Sequence, residues 1–156
     1  MLSKSAQSVQ DSLSSQGIHA KVVELPASTR TAEDAARAIG CQVAQIAKSL
    51  VFRTKFSNKA ILVLTSGINR VNEQAIAREV GEEIVKADAD FTRDKTGFAI
   101  GGIPPIGHKQ KLETYIDADL LQYTELWAAA GTPNAVFSLD SAVIEGLTQG
   151  KIISVK

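Results

Sequence analysis

Two runs rich in β-branched and large apolar residues, Ala47 to Arg53 (AKSLVFR) and Lys59 to Thr65 (KAILVLT), flank the turn-forming segment TKFSN. Such runs, bounded by turn residues, read as an antiparallel hairpin. Ile61 to Leu64 are apolar at consecutive positions. Because side chains alternate between the faces of a strand, this segment is expected to be a central strand covered on both sides.

Helices are expected around the hairpin. Ser3 to Gln16 has Val9 and Leu13 four residues apart, and Gly17 is its stop, giving an N-terminal helix within residues 1–17. Thr31, with Asp34 three residues on, starts a second helix whose small face is Ala35, Ala36, Ala38 and Ile39, ended by Gly40. Asn72 caps a third, to Val80, and Asp88 to Asp94 forms a helical turn. Asp140 caps a last helix to Leu147. Further strands are expected at Lys21 to Leu25, Gly97 to Ile100, Lys111 to Ile116, Glu125 to Ala129, Ala135 to Ser138 and Lys151 to Val155. Strands and helices do not alternate one for one. The pattern is that of an α+β fold with a mixed, largely antiparallel sheet flanked by helices, in one domain over residues 1–156.

Charge narrows the function. Seventeen basic residues balance seventeen acidic ones, which excludes a histone-like, purely electrostatic nucleic-acid binder, and no DNA partner is expected. The balance is local, however. Arg30 to Arg70 holds seven basic residues against Glu33 and Asp34, whereas acids crowd Glu73 to Asp94 and Glu113 to Glu125. A basic face or ordinary solvated faces both fit this pattern. The one cysteine, Cys41, excludes a disulfide framework and a multi-cysteine zinc site. His19 and His108 lack metal-ligand spacing, so no metal and no cofactor is expected. With no long apolar run and no signal-peptide core, the expectation is a soluble cytoplasmic protein without membrane contact.

Two features could carry chemistry. The loop Gly101-Gly102-Ile103-Pro104-Pro105-Ile106-Gly107 pairs glycines, which let a ligand approach the backbone, with prolines, which stiffen it. It is either a rigid crossover or a set of N–H donors for a carbonyl or a developing oxyanion. A phosphate loop is excluded: His108 stands where the lysine belongs, Gln110 where Ser or Thr belongs, and the prolines remove donors. The second feature is Lys48, which strand alternation places with Leu50 and Phe52. A lysine on such a face either reaches solvent at the strand end or lines a cleft for an anionic or ester ligand. Ser66-Gly67 and Ser138 show no nucleophile-elbow pattern, and Trp127, Phe52, Phe98 and Phe137 read as core.

The segments TAEDAARAIG, QIAKSLVFRT, KAILVLTSG, TGFAIGGIPPIGH and AAGTPNAVFSL, in that order, resemble the YbaK/prolyl-tRNA-synthetase-associated editing domain family over Ile18 to Val155. The resemblance implies a partly barrel-like antiparallel sheet. It implies hydrolysis of the ester joining a wrong, small amino acid to the 3′ end of a tRNA, typically tRNA for proline. Lys48 matches the family's site lysine, and Gly101 to Pro105 matches its glycine-rich loop. On this basis Lys48, Gly101 and Gly102 are the expected catalytic residues. Ile103, Pro105, His108, Gly131, Thr132 and Asn134 are expected to bind substrate, and Arg30, Arg53, Lys55 and Arg70 to meet the tRNA. The expected partner is the acceptor end of an aminoacyl-tRNA, together with a synthetase. The competing readings are a binding module for tRNA ends or a synthetase without turnover, and a small-molecule esterase reusing the loop.

Overall fold

A computed structural model describes residues 1–156. The chain runs α1 (Lys4–Ser15), β1 (Val23–Glu24), α2 (Ala32–Ile39), β2 (Ile46–Thr54), β3 (Ala60–Ser66), α3 (Glu73–Val80), β4 (Ile84–Lys86), α4 (Ala89–Thr96), β5 (Glu113–Asp117), β6 (Glu125–Ala129), β7 (Ala135–Asp140), α5 (Ile144–Thr148) and β8 (Lys151–Ile153). All eight strands join one mixed sheet in the order β1-β7-β6-β2-β3-β5-β8, with β4 added against β2. β2 and β3 form the expected antiparallel hairpin, in register from Ala47↔Ser66 to Arg53↔Ala60. β2–β6, β3–β5 and β5–β8 are parallel, and β1–β7, β2–β4 and β6–β7 are antiparallel. The sheet is open, with β1 and β8 at its ends, and does not close into a barrel.

The helix ends follow the sequence signals. Thr31 accepts a hydrogen bond from the Asp34 N–H at α2, and Asn72 accepts from the Gln74 and Ala75 N–H groups at α3. Such caps satisfy amide donors that the helix leaves open. Asp88 caps α4 in the same way, extending the expected turn into a full helix.

Alternation along the hairpin divides the core. Ala47, Val51, Leu62 and Leu64 face a large cluster with Ala6, Val9 and Leu13 of α1 and Ile103 and Ile106 of the Gly/Pro loop. Phe52, Ile61 and Val63 face Ile76 of α3 and Tyr115 on the other side, with half-buried Leu50 against them. Ile46 meets Ala32, Ala35 and Ala36 of α2 in a third cluster. The expected small face of α2 is therefore shifted, because Ala38 is exposed and Ala32 is buried.

One expected strand is absent and one unexpected strand is present. Gly97 to Ile100 is not a strand: Gly97 ends α4, and the Phe98 N–H and C=O both bond the Thr96 hydroxyl instead of a ladder partner. The short strand β4 carries no sequence signal that separates it from the acidic loop around it, yet it pairs Lys86, Val85 and Ile84 with Phe52, Arg53 and Thr54. Leu62 is fully buried at the centre of β3. Replacing it with Ala should cost about 2–5 kcal/mol, read from the urea unfolding midpoint.

Candidate active site

The site arises where one edge of β2 changes partner. Ile46 and Ala47 pair with Trp127 and Ala128 of β6, while Phe52 to Thr54 pair with β4. Between them, the Lys48 to Leu50 stretch has no strand partner on that edge. A cavity of about 160 Å³ opens at this fork. Its size is similar to the roughly 150 Å³ known to admit a benzene ring. Ala35 and Ile39 of α2, Ile46 to Leu50 of β2, Trp127 to Ala129 of β6 and Val136 of β7 line it, with Thr29 to Thr31 and Ile100, Gly101 and Ile103 at its other walls. The lining is mostly apolar. The Ser49 hydroxyl is buried there with no protein partner.

Lys48 and the Gly/Pro loop thus share one hollow. Ala99 to Gly102 form a turn closed by the Gly102 N–H donating to the Ala99 carbonyl at 3.2 Å. Gly101 occupies its third position at φ +100°, a conformation glycine adopts without strain. The Arg30 side chain lies over Gly101, its Cγ and Nε 3.2 Å from where a Cβ would be. At Gly102 a Cβ would come within 2.8 Å of the Thr132 backbone, so two chain segments touch there through glycine. The expected donor pair is altered accordingly. The Gly102 N–H is engaged within the turn, whereas those of Gly101 and Ile103 bond no protein acceptor.

Other sequence candidates brace the site without lining it. The Gly131 N–H donates to the Gly102 carbonyl at 2.8 Å. Thr132 donates to Asn134 Oδ1, Asn134 donates to the Leu25 carbonyl, and the Thr29 hydroxyl donates to the Pro133 carbonyl. The 131–134 segment therefore ties the Gly/Pro loop to the stretch carrying Thr29 and Arg30. Pro105 and His108 border a different, more polar hollow of about 290 Å³. His108 Nε2 lies 2.6 Å from the Pro104 carbonyl, which can only accept, so in the neutral ring Nε2 carries the proton. Its ring meets Phe98 edge-on.

Of the four expected tRNA contacts, only Arg30 reaches the cavity. Arg70 follows Asn69, whose carbonyl oxygen lies 3.5 Å from Lys48 Nζ. Arg53 bonds Asn58, and Lys55 pairs with Glu83 at 3.4 Å, both at the hairpin's far end. Lys59 pairs with Glu113 and Arg37 with Asp34. Lys48, Arg30 and Arg70 have no carboxylate within 4.0 Å.

A family model described as an aminoacyl-tRNA editing domain matches residues 26–147. The chain belongs to this family. A solved structure presented as a proposed trans-editing enzyme for prolyl-tRNA synthetase superposes with TM-score 0.94 at 48% identity, covering 100% of this chain and 99% of that one. A proline–tRNA ligase of Limosilactobacillus fermentum is 35% identical over 94 residues, which are 58% of this chain and 16% of the ligase. A protein of Enterococcus faecalis, EbsC, named as a candidate Cys-tRNA(Pro)/Cys-tRNA(Cys) deacylase, is 26% identical over 80% of this chain and 76% of its own length. The mixed α+β sheet described above is the editing-domain fold.

Sequence reading of this editing domain missed several cavity residues. Trp127 reads as core but is half-buried and lines the cavity with Ile46 beside it. Thr29, Thr31 and Ser49 are ordinary polar residues until the fold brings them to one cavity. No helix of the chain is long and apolar enough to cross a membrane.

Burial pushes the His108 imidazole below its ordinary value of 6.5, against the raising effect of the Pro104 bond. The unfolded chain therefore takes up a proton more readily than the folded one. The stability this gives is present above about pH 6.5 and lost as pH falls from there through the depressed folded value. The thermal midpoint should fall more between pH 7.5 and 5.5 in the parent than in His108→Gln. Equal falls would show that His108 does not contribute.

Proposed function

We propose that this editing domain hydrolyses the ester between a small wrong amino acid and the 3′ end of a tRNA, with tRNA for proline as its first substrate. The reading is carried by one juxtaposition: an unpaired ammonium and a proline-stiffened turn with free N–H donors border the same small apolar cavity. The proline–tRNA ligase segment and the proposed trans-editing enzyme support proline as the tRNA's identity.

An aminoacyl ester is already activated, so the chain needs to supply little. The acyl side chain enters the cavity. The N–H groups of Gly101 and Ile103 are the donors for the carbonyl oxygen as it takes on negative charge, in place of the expected Gly101 and Gly102 pair. Lys48 neutralises phosphate or ribose-side charge at the 3′ end. A water, oriented by the neighbouring ribose hydroxyl, adds its oxygen to the carbonyl carbon. The bond from that carbon to the ribose oxygen then breaks, the ribose oxygen takes a proton, and free amino acid and tRNA leave. Selection is by size. A hydrophobic pocket separates one methylene by only about 1–3 kcal/mol, which makes a second sieve useful after the synthetase's own.

Arg30 and Arg70 are the nearest candidates for the acceptor-end phosphates. Arg53 lies five residues up β2 from Lys48, about 17 Å away. It and Lys55 would meet the tRNA only further along the stem.

The test is release of amino acid from tRNA for proline charged with alanine, cysteine or serine. Wild-type protein should deacylate at least one of the three. Lys48→Ala should slow that reaction by about 100-fold. Arg30→Ala and Arg70→Ala should each weaken tRNA binding and lower its salt dependence by about one counterion. Binding of charged tRNA without ester loss would replace the deacylase by a binding module, and an unchanged rate for Lys48→Ala would refute the site.

A further inference from the structure

We infer that Asn69 is the positioning residue for Lys48, and that the carboxylates of Asp117 and Asp119 hold Asn69 in place to do this. The inference deepens the deacylase reading above and rests on it.

The Lys48 side chain has one hydrogen-bonding partner in the protein, the Asn69 main-chain carbonyl at 3.5 Å from Nζ. No carboxylate lies within 4.0 Å of it. A lysine ammonium on a flexible four-carbon stem has much rotamer freedom to lose. A single long contact can aim it only if the acceptor itself is fixed.

Asn69 is fixed from several directions. Its own N–H donates to the Ser66 carbonyl at 2.9 Å. Its side-chain Nδ2 donates to both Asp117 Oδ2 and Asp119 Oδ2, each at 2.8 Å. Asp117 is 1% exposed at the end of β5. It also accepts from the Thr65 hydroxyl at 3.1 Å and the Ser66 N–H at 2.9 Å, and its Oδ1 accepts from the Asp119 N–H at 2.9 Å. Asp119 pairs with Lys156 at 3.0 Å. On the opposite flank, the Gly67 N–H donates to the Ile46 carbonyl at 2.9 Å, tying the same turn to the base of β2 beside the cavity.

A buried carboxylate is a costly way to pin a turn, since a well-packed apolar group often serves stability as well. What the carboxylate adds is directional grip. It fixes the Asn69 side-chain amide, and through it the residue whose main-chain carbonyl faces Lys48. The network spans β3 and β5, and the turn it holds meets the cavity wall at two residues, Ile46 through the Gly67 N–H and Lys48 through the Asn69 carbonyl. Outer partners of this kind commonly change the activity of the group they orient by about 10–100-fold.

The test compares wild type, Asn69→Ala and Asp117→Asn. One arm measures single-turnover release of the amino acid from whichever charged tRNA the wild type deacylates. The other records the Lys48 Cε methylene protons by NMR, assigned with Lys48→Arg, with core methyl signals as the folding control. A held ammonium gives two distinct methylene shifts, and a free one gives a single averaged shift. The expected result is an Asn69→Ala rate about 10-fold or more below wild type, with core methyl signals retained and the two Lys48 shifts collapsed into one. Asp117→Asn, which keeps the shape and loses the charge, should move both readouts in the same direction. Lys48 shifts and rates unchanged in both folded variants would overturn the inference, as would a rate loss with the Lys48 shifts unchanged. If wild type deacylates nothing, the deacylase reading fails, and the NMR arm still decides whether Asn69 holds Lys48.

Discussion

Strand β2 serves two partners along one edge, and the cavity exists because neither serves its middle. Its base is held by β6 and its far end by β4. The gap between them leaves backbone and side chains of Lys48 to Leu50 facing a hollow that helix α2 roofs with alanines. On the other edge the long antiparallel pairing with β3 holds the strand in register. Apolar contacts on both faces of β3 anchor that hairpin deep in the molecule. The site is thus a local defect in sheet pairing carried by the most buried part of the fold, which is how a rigid scaffold can present an open edge without losing stability.

The Gly/Pro loop and Lys48 both border this gap. The Gly/Pro loop is held by its own turn, by Gly131 behind it and by His108 bonding Pro104. A lysine is flexible by nature, and Lys48 is restrained by one carbonyl. Donors that must meet a developing charge gain from being fixed beforehand. Lys48 and Arg30, which line the cavity, and nearby Arg70 carry no ion pair.

The sequence was most legible where local rules act alone. Caps at Thr31 and Asn72 need only a side chain and an amide a few residues away, so their helices were readable, whereas the Asp88 segment read only as a turn. The β2–β3 hairpin was readable from its apolar runs. β4 was not, because a three-residue strand gains its identity from pairing with Phe52 to Thr54, a long-range contact that leaves no periodicity. Phe98 misled for a related reason: it is buried like a strand residue, but a threonine hydroxyl satisfies its backbone. At the site, Lys48 and Gly101 stood out as residues at odds with their surroundings. Trp127 and Ser49 did not, since an aromatic or a serine in a strand is commonplace until the neighbouring strand departs. The Gly102 N–H was misjudged because composition shows that a turn is present without showing which amide closes it.

The central claim is that the forked sheet holds the acyl group against the Gly/Pro loop. Its most direct test is a crystal structure of the protein with an adenosine carrying alanine through a 3′-amide, which cannot be hydrolysed as the ester is. The account predicts the alanine methyl inside the hollow between α2 and β2, with the acyl oxygen about 2.7–3.1 Å from the Gly101 or Ile103 nitrogen. An acyl group lying outside the hollow, or an oxygen turned away from both nitrogens, would contradict it.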